Sequence, residues 1–354
     1  MEPSERARAT LGLAGSLTMR LGAVVLIGVL LLYLRVVLVP LVLAILLSFL
    51  VLPLVTWLTA RRVPALLAIV GAETIATLPF LGLMVVFTAS AGPVNDELGR
   101  YKEQLQVQVS GAVDQILVRV VSDARRDEVR RAFNEKVLPE ALAGGFEFFS
   151  GGVGAATRTV SSVFLTLLLC GFILAEGRQF RDKFAAAYGR EHPLLASLAG
   201  MGHDVRAYVV AKTLLSALTA FCVWVFLELN DVRFGVFWAL LAFPLNFIPT
   251  VGAVVASVPP MLVAMIDPQT TAWGVAVVVI GLGTINGVIG SVLDPRFVGQ
   301  AVKLSPLVVF LSMLVWGTLW GPIGMILAVP LMVSFKLVCA RVPALEPVAA
   351  LLQG

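Results

Sequence analysis

Asn246, Pro249 and Gly252 stand together in the run Phe243-Pro-Leu-Asn-Phe-Ile-Pro-Thr-Val-Gly252, inside a segment, 234–266, that holds no Asp, Glu, Lys or Arg. Asparagine supplies an amide donor and acceptor, proline removes a backbone N–H, and glycine permits a tight reversal. A helix broken in this way ends in unpaired backbone groups whose partial charges suit an uncharged polar solute. The same residues also fit a plain turn between helices, the commoner use of Pro and Gly in apolar segments. A second break, Gly317-Thr-Leu-Trp-Gly321-Pro322, interrupts another charge-free run, 304–335.

The ionisable residues offer little else for chemistry. Lys212 follows Arg206 by about a turn and a half of helix. It reads either as a cation facing a cavity or as a lysine snorkelling to the headgroups. Glu73 is the only charge between Arg62 and Asp96. A lone carboxylate at membrane depth points to a cavity rather than to lipid, and could carry a proton. Asp294-Pro295-Arg296 closes a third charge-free run, 268–293. Its composition suits a turn at the membrane edge, with a gate as the other reading. His192 and His203 have no partner at metal-ligand spacing and read as loop residues; no metal site and no cofactor are expected. Cys170, Cys222 and Cys339 all lie in apolar stretches, as small buried hydrophobes without a disulfide framework. No His-Glu-x-x-His, Gly-x-Ser-x-Gly or phosphate-cradling glycine motif occurs, so an enzyme or a self-contained ATP-driven pump is not expected.

The elements that must position these residues are membrane helices. Of 354 residues, 59% are hydrophobic and only 14% charged, and mean hydropathy is +0.95. A soluble domain carries about a quarter charged residues. Apolar segments fall at 21–39, 41–60, 64–91, 150–175, 207–229, 234–266, 270–293 and 304–338. A span needs about 20 apolar residues, and continuous rather than alternating hydrophobicity excludes a barrel. The expectation is an all-α polytopic membrane protein with about eight hydrophobic segments. Pro40 marks the expected join of the first two. The segments 234–266 and 304–338 are too long for one span and carry central breaks, which predicts two helical hairpins, short or re-entrant. A retained first helix is preferred to a signal peptide, since no small-residue cleavage site closes the first run.

Residues 92–149 differ in character, holding 18 of the 48 charged residues. Leu98, Leu105, Val109, Val113, Ile116 and Val120 recur at helical spacing, followed by Val129, Phe133 and Val137. This predicts an amphipathic helical insertion between a three-span segment, 1–91, and a C-terminal membrane domain, 150–354. Lys and Arg cluster beside alternate segment ends: Arg6, Arg8 and Arg20; Arg61 and Arg62; Arg178 to Arg206; Arg296 and Lys303; Lys336 and Arg341. The positive-inside bias then places both termini in the cytoplasm of a bacterial inner membrane and the insertion in the periplasm. The same bias explains the net charge of +4 without nucleic acid. Trp57, Trp224, Trp316 and Trp320 read as interfacial anchors.

Phe243-Pro-Leu-Asn-Phe-Ile-Pro249 resembles the asparagine–aromatic–isoleucine–proline signature of the autoinducer-2 exporter (AI-2E) family. Tyr208-x-x-x-Lys212-Thr213-x-x-Ser216 before it fits the same family. So do Val292-Leu-Asp-Pro-Arg-Phe-Val-Gly299, Leu304-Ser-Pro306 and Trp316-Gly-x-x-Trp-Gly-Pro-Ile-Gly-Met-Ile-Leu-Ala-Val-Pro330 after it. The blocks occur in the family's order over the C-terminal half. Ile289 and Ser291 depart from the acidic or asparagine residues that many members carry there. The resemblance implies proton-driven export of autoinducer-2, a quorum-sensing signal, or of a related solute. It also implies a homo-oligomer, with a pentamer as the suggested form. Sodium–proton antiport is the alternative the family offers, though only Glu73 lies clearly within a span. A non-transporting scaffold is a third reading, which would not need Asn246 or Lys212. The expected solute pathway comprises Asn246, Pro249, Gly252, Lys212, Tyr208 and Glu73, with Asp294, Pro295, Arg296, Gly321 and Pro322 as a gate.

Overall fold

The structure is a computed structural model that describes residues 25–120, 123–140, 160–189, 193–297, 304–340 and 345–353, together with 19, 22 and 23. Arg6, Arg8, Arg20, His192, Lys303, Arg341 and the stretch 141–159 lie outside the described residues. All regular structure among the described residues is helical. The helices are α1 (Arg35–Ala60), α2 (Ala65–Val120), α3 (Asp123–Ala132), α4 (Val160–Tyr188), α5 (Pro193–Leu229), α6 (Gly235–Leu245), α7 (Val251–Ile266), α8 (Ala272–Val288), α9 (Pro306–Cys339) and α10 (Glu346–Leu352). Five helical stretches are long and apolar enough to cross a membrane, and shorter apolar helices accompany them. The all-α polytopic expectation holds.

Several boundaries differ from those expected. Pro40 is buried inside α1, and the helix resets instead at Leu34 (φ −83°, ψ 3°), after a helical stretch over 25–33. Proline alone did not end the helix, which runs on through Pro40 and Pro53 to Ala60. The third span and the first half of the charged stretch form one continuous helix, α2, of 56 residues. It carries the chain about 84 Å at 1.5 Å per residue. Apolar-to-polar change does not interrupt helix hydrogen bonding, so composition marked a change of surroundings rather than an end. After α3, a π-turn over Phe133–Val137 holds the second part of the insertion. His203 lies within α5 rather than in a loop, because that helix begins at Pro193.

Packing follows from the apolar faces. Val51 and Val55 of α1 meet Ala68, Ile69 and Ala72 of α2, with Leu174 of α4 against them. α5 and α8 run antiparallel: Phe226 faces Gly281 near one end and Lys212 meets Asp294 near the other.

The two predicted hairpins are present. In the first, α6 and α7 reverse through 246–250, where Thr250 adopts φ +59°. Their 11 and 16 residues correspond to about 16 and 24 Å of helix, short of the roughly 30 Å hydrocarbon core. α9 consists of two helical arms joined at a kink, where Gly321 sits at φ +67°, ψ −149°. Only glycine takes up that region readily, and Pro322 after it supplies no N–H. The chain folds back there: Ser312 Oγ donates to Ala328 O at 3.1 Å, placing the two arms side by side.

Close backbone contact fastens each reversal. A Cβ at Gly252 would lie 1.7 Å from Leu245 O, and one at Gly324 would lie 1.9 Å from Trp316 O. Both are main-chain atoms that cannot swing aside. Gly252→Ala and Gly324→Ala are therefore expected each to destabilise the protein by about 1–3 kcal/mol or more. Gly71→Ala, which meets open space, should be neutral. Thermal unfolding of the detergent-purified variants separates these outcomes.

Candidate functional site

The buried side of α5 is where polar groups gather. Val205, Tyr208, Val209, Lys212, Leu215, Ser216, Thr219, Val223 and Leu227 are all buried, at the spacing of one helical face. Apolar members of this stripe fill two clusters. Near the start of α5, Val205, Tyr208 and Val209 pack with Ile289 and with Val329 and Val333 of the second hairpin. Near its end, Val223 and Leu227 pack with Val278, Leu282 and the first hairpin's Phe237, Trp238, Val263 and Ile266. The two hairpins therefore enter from opposite ends of the α5–α8 pair. Their inner portions meet in a third cluster, where Leu245, Ile248 and Ala256 touch Met313 and Ala328.

Lys212, Ser216 and Thr219 lie between these clusters. Lys212 is 3% exposed, and its Nζ stands 2.6 Å from Asp294 Oδ2. A snorkelling lysine is thereby excluded, and its charge is answered by a carboxylate. Tyr208, 2% exposed, packs in the same cluster as Ile289 and Leu293, directly before Asp294. One turn beyond Lys212, Ser216 Oγ accepts from Asn246 Nδ2 at 3.1 Å. Asn246 thus reaches out of the hairpin tip to α5. Asn286 of α8 donates to Ser257 Oγ of α7 at 2.9 Å, and to Leu282 O at 3.0 Å. The result is a narrow polar seam joining α5, α8 and the first hairpin inside otherwise apolar packing.

Most backbone N–H groups at the tip of that hairpin bond within it. Asn246 N bonds Ala242 O, Phe247 N bonds Pro244 O, Ile248 N bonds Leu245 O and Gly252 N bonds Ile248 O. Pro249 has no N–H to place, and Gly252 lets the arms touch. The side-chain polar groups at the tip are then the Asn246 amide and its Ser216 partner.

A profile of the family described as AI-2E family transporter matches residues 21–343. The chain belongs to the AI-2E transporter family. It is 32% identical over 316 residues to the AI-2 transport protein TqsA of Escherichia coli, with 89% of each chain covered. YhhT of the same organism, provisionally described as a transport protein, is 32% identical over 295 residues, covering 83% of this chain and 82% of its own. A relative in Haemophilus influenzae with a similar provisional description is 31% identical over 321 residues, with 89% of each chain covered.

Within this AI-2E protein, the remaining residues singled out from sequence divide clearly. Asp294 joins Lys212, and its second oxygen, Oδ1, is buried without a hydrogen-bond partner. Asp294, Pro295 and Arg296 are not a turn. A π-turn over Ile289–Leu293 carries α8 onward into a helical Asp294–Phe297. The extra residue per turn rotates the next part of the helix, aiming Asp294 at α5 while Pro295 and Arg296 stay exposed. Gly321 and Pro322 form the reversal of the second hairpin. Trp320 is buried beside them, donates to Leu31 O at 3.1 Å and packs on Trp316 at 4.7 Å. These two tryptophans belong to a hairpin tip. Trp57 is half exposed and carries the Arg61 guanidinium 4.0 Å above its ring.

Glu73 is not brought to the seam. It faces α4, where Gly171 leaves room for its carboxylate. Asn286, Ser257 and Ser312 were not singled out from the sequence. A lone asparagine within the charge-free run 272–293 was the signal that could have flagged the first.

Breaking a buried ion pair from one side leaves an uncompensated charge and costs about 3–5 kcal/mol. Lys212→Met is expected to destabilise by that order, while Lys212→Met combined with Asp294→Leu should recover most of the loss. Denaturant unfolding of the four proteins of this cycle reads the coupling directly.

Proposed function

We propose that this transporter exports a small polar solute of the autoinducer-2 kind across the bacterial inner membrane, driven by the proton gradient. One observation carries the reading. The Asn246 amide, at the tip of a hairpin too short to span, hydrogen-bonds a buried Ser216 hydroxyl in the interior of a membrane bundle. A hydroxyl-bearing solute can take over those bonds without carrying charge. TqsA, whose name states that it transports AI-2, supports the choice of solute. Solute reaches Asn246 from the cytoplasmic side, and the second hairpin, hinged at Gly321, moves to give access. The placement of Lys and Arg supports cytoplasmic termini, and the broad apolar faces of α1 and α2 suit a homo-oligomer.

Asp294 supplies the coupling in this scheme. Its protonation removes the charge that Lys212 answers and loosens α8 from α5. Lys212 then acts through Asp294 rather than as a free charge in a cavity. Antiport of a cation for a proton would draw on the same carboxylate, through its unpartnered Oδ1.

Proteoliposomes loaded with autoinducer-2 test the reading. Wild-type protein should release it faster than empty liposomes, and an imposed proton gradient should increase the rate. Asn246→Ala should lower release about tenfold, the scale of one lost hydrogen bond to an otherwise unpaired buried group. Asp294→Asn, which removes the titrating carboxylate, should make release insensitive to the imposed gradient. Absence of release by folded protein, with sodium-driven proton movement instead, would replace export by antiport.

A further inference from the structure

α5 carries a second stripe, on the side away from the seam. His203, Arg206, Ala207, Ala211, Leu214 and Leu218 recur at helical spacing, and all line one cavity of about 840 Å³. Pro53 of α1 forms one wall, and Leu293 with Phe297 forms the other. The small side chains Ala207 and Ala211 make its floor. Leu214 is 66% exposed and Phe297 63% exposed, so the trough opens sideways from the bundle. From His203 to Leu218 it follows about 22 Å of helix at 1.5 Å per residue, enough to cover one leaflet's half of the roughly 30 Å hydrocarbon core.

Its polar content is confined to one end. Only His203 and Arg206 among the lining residues have polar side chains, and both sit where the apolar span Val205–Leu229 begins. Neither makes an ion pair or a side-chain hydrogen bond with any described residue. A guanidinium at headgroup depth offers a bidentate fork for a phosphate. An apolar trough leading away from it, towards the bilayer midplane, matches an acyl chain. Basic residues between membrane helices select acidic headgroups, and no acidic side chain among the described residues lines this cavity to offset Arg206.

We propose that this groove is a binding site for an anionic phospholipid, with its phosphate on Arg206 and His203 and an acyl chain along Ala207–Leu218. The site is independent of the solute seam, but it touches it through the chain. Ala211 immediately precedes Lys212, and Leu293 immediately precedes Asp294. A lipid in the groove therefore braces both helices that the Lys212–Asp294 pair joins.

The test uses the purified full chain, stripped of lipid in detergent, with phosphatidylglycerol, phosphatidylethanolamine or inorganic phosphate added. Thermal unfolding and native mass spectrometry are the readouts. Phosphatidylglycerol should bind and raise the unfolding midpoint well beyond phosphatidylethanolamine, and phosphate alone should do neither. Arg206→Gln should weaken phosphatidylglycerol binding about tenfold, as expected for loss of a charge-assisted hydrogen bond, with Arg206→Lys retaining most of it. Ala211→Phe, which fills the trough, should abolish lipid stabilisation, and the Arg206 variants keep the test valid should that protein fail to fold. Equal effects of the two lipids, undiminished binding by Arg206→Gln, or full stabilisation by phosphate alone would each overturn the proposal. So would a dimer or larger assembly that occupies this face regardless of lipid.

Discussion

A bilayer offers no water to an unpaired backbone N–H or C=O, so helix may be interrupted at membrane depth only where protein closes around the break. Both interruptions in this chain obey that constraint, and most of the architecture serves it. At 246–250 the tip re-bonds its own amides within four residues, and the Asn246 side chain anchors it to Ser216. At Gly321 a conformation that only glycine accepts readily reverses the chain, and Trp320 closes the tip with a bond to Leu31 O.

This gives the C-terminal half a repeated plan. A long helix and a short hairpin, α5 with α6–α7, are followed by a second long helix and hairpin, α8 with the two arms of α9. Because α5 and α8 are antiparallel, the hairpins enter from opposite ends and meet around Leu245, Ile248, Met313 and Ala328. The reversals even share a local chemistry. Pro249-Thr-Val-Gly252 and Pro322-Ile-Gly324 each place a glycine against a carbonyl of the preceding arm. Opposed hairpins that meet in mid-bundle are an arrangement suited to opening from one side at a time.

Charge is used sparingly and where it can be answered. Lys212 would be costly in the interior alone, yet Asp294 at 2.6 Å neutralises it and ties α5 to α8. The π-turn at 289–293 makes that contact possible by turning Asp294 inward. Elsewhere, Arg233 joins the charged part of α2 to the base of the first hairpin through Glu97 at 3.5 Å and Asp267 at 3.4 Å. Those exposed pairs set alignment more than stability.

The sequence alone determined what local chemistry dictates. Charge-free runs longer than the roughly twenty residues of a span demanded membrane helices. Two segments too long for one span, 234–266 and 304–338, with central Pro and Gly, demanded hairpins, and the ordered blocks around Asn246 indicated the family. Tertiary structure decided everything that depends on which faces meet. Pro40 and Asp294-Pro295 looked like ends and proved to lie within helices, because neighbouring hydrogen bonds and packing outweigh a missing N–H. Lys212 could not be told from a snorkelling lysine until Asp294, 82 residues away, was placed beside it. That Glu73 faces Gly171 of α4, apart from the Lys212–Asn246 seam, was likewise visible only in the fold. Periodicity reports that a helix has an apolar face, but in an apolar solvent nearly every face qualifies. Which face turns inward is set by small residues and polar partners from distant segments, and those meet only in the folded chain.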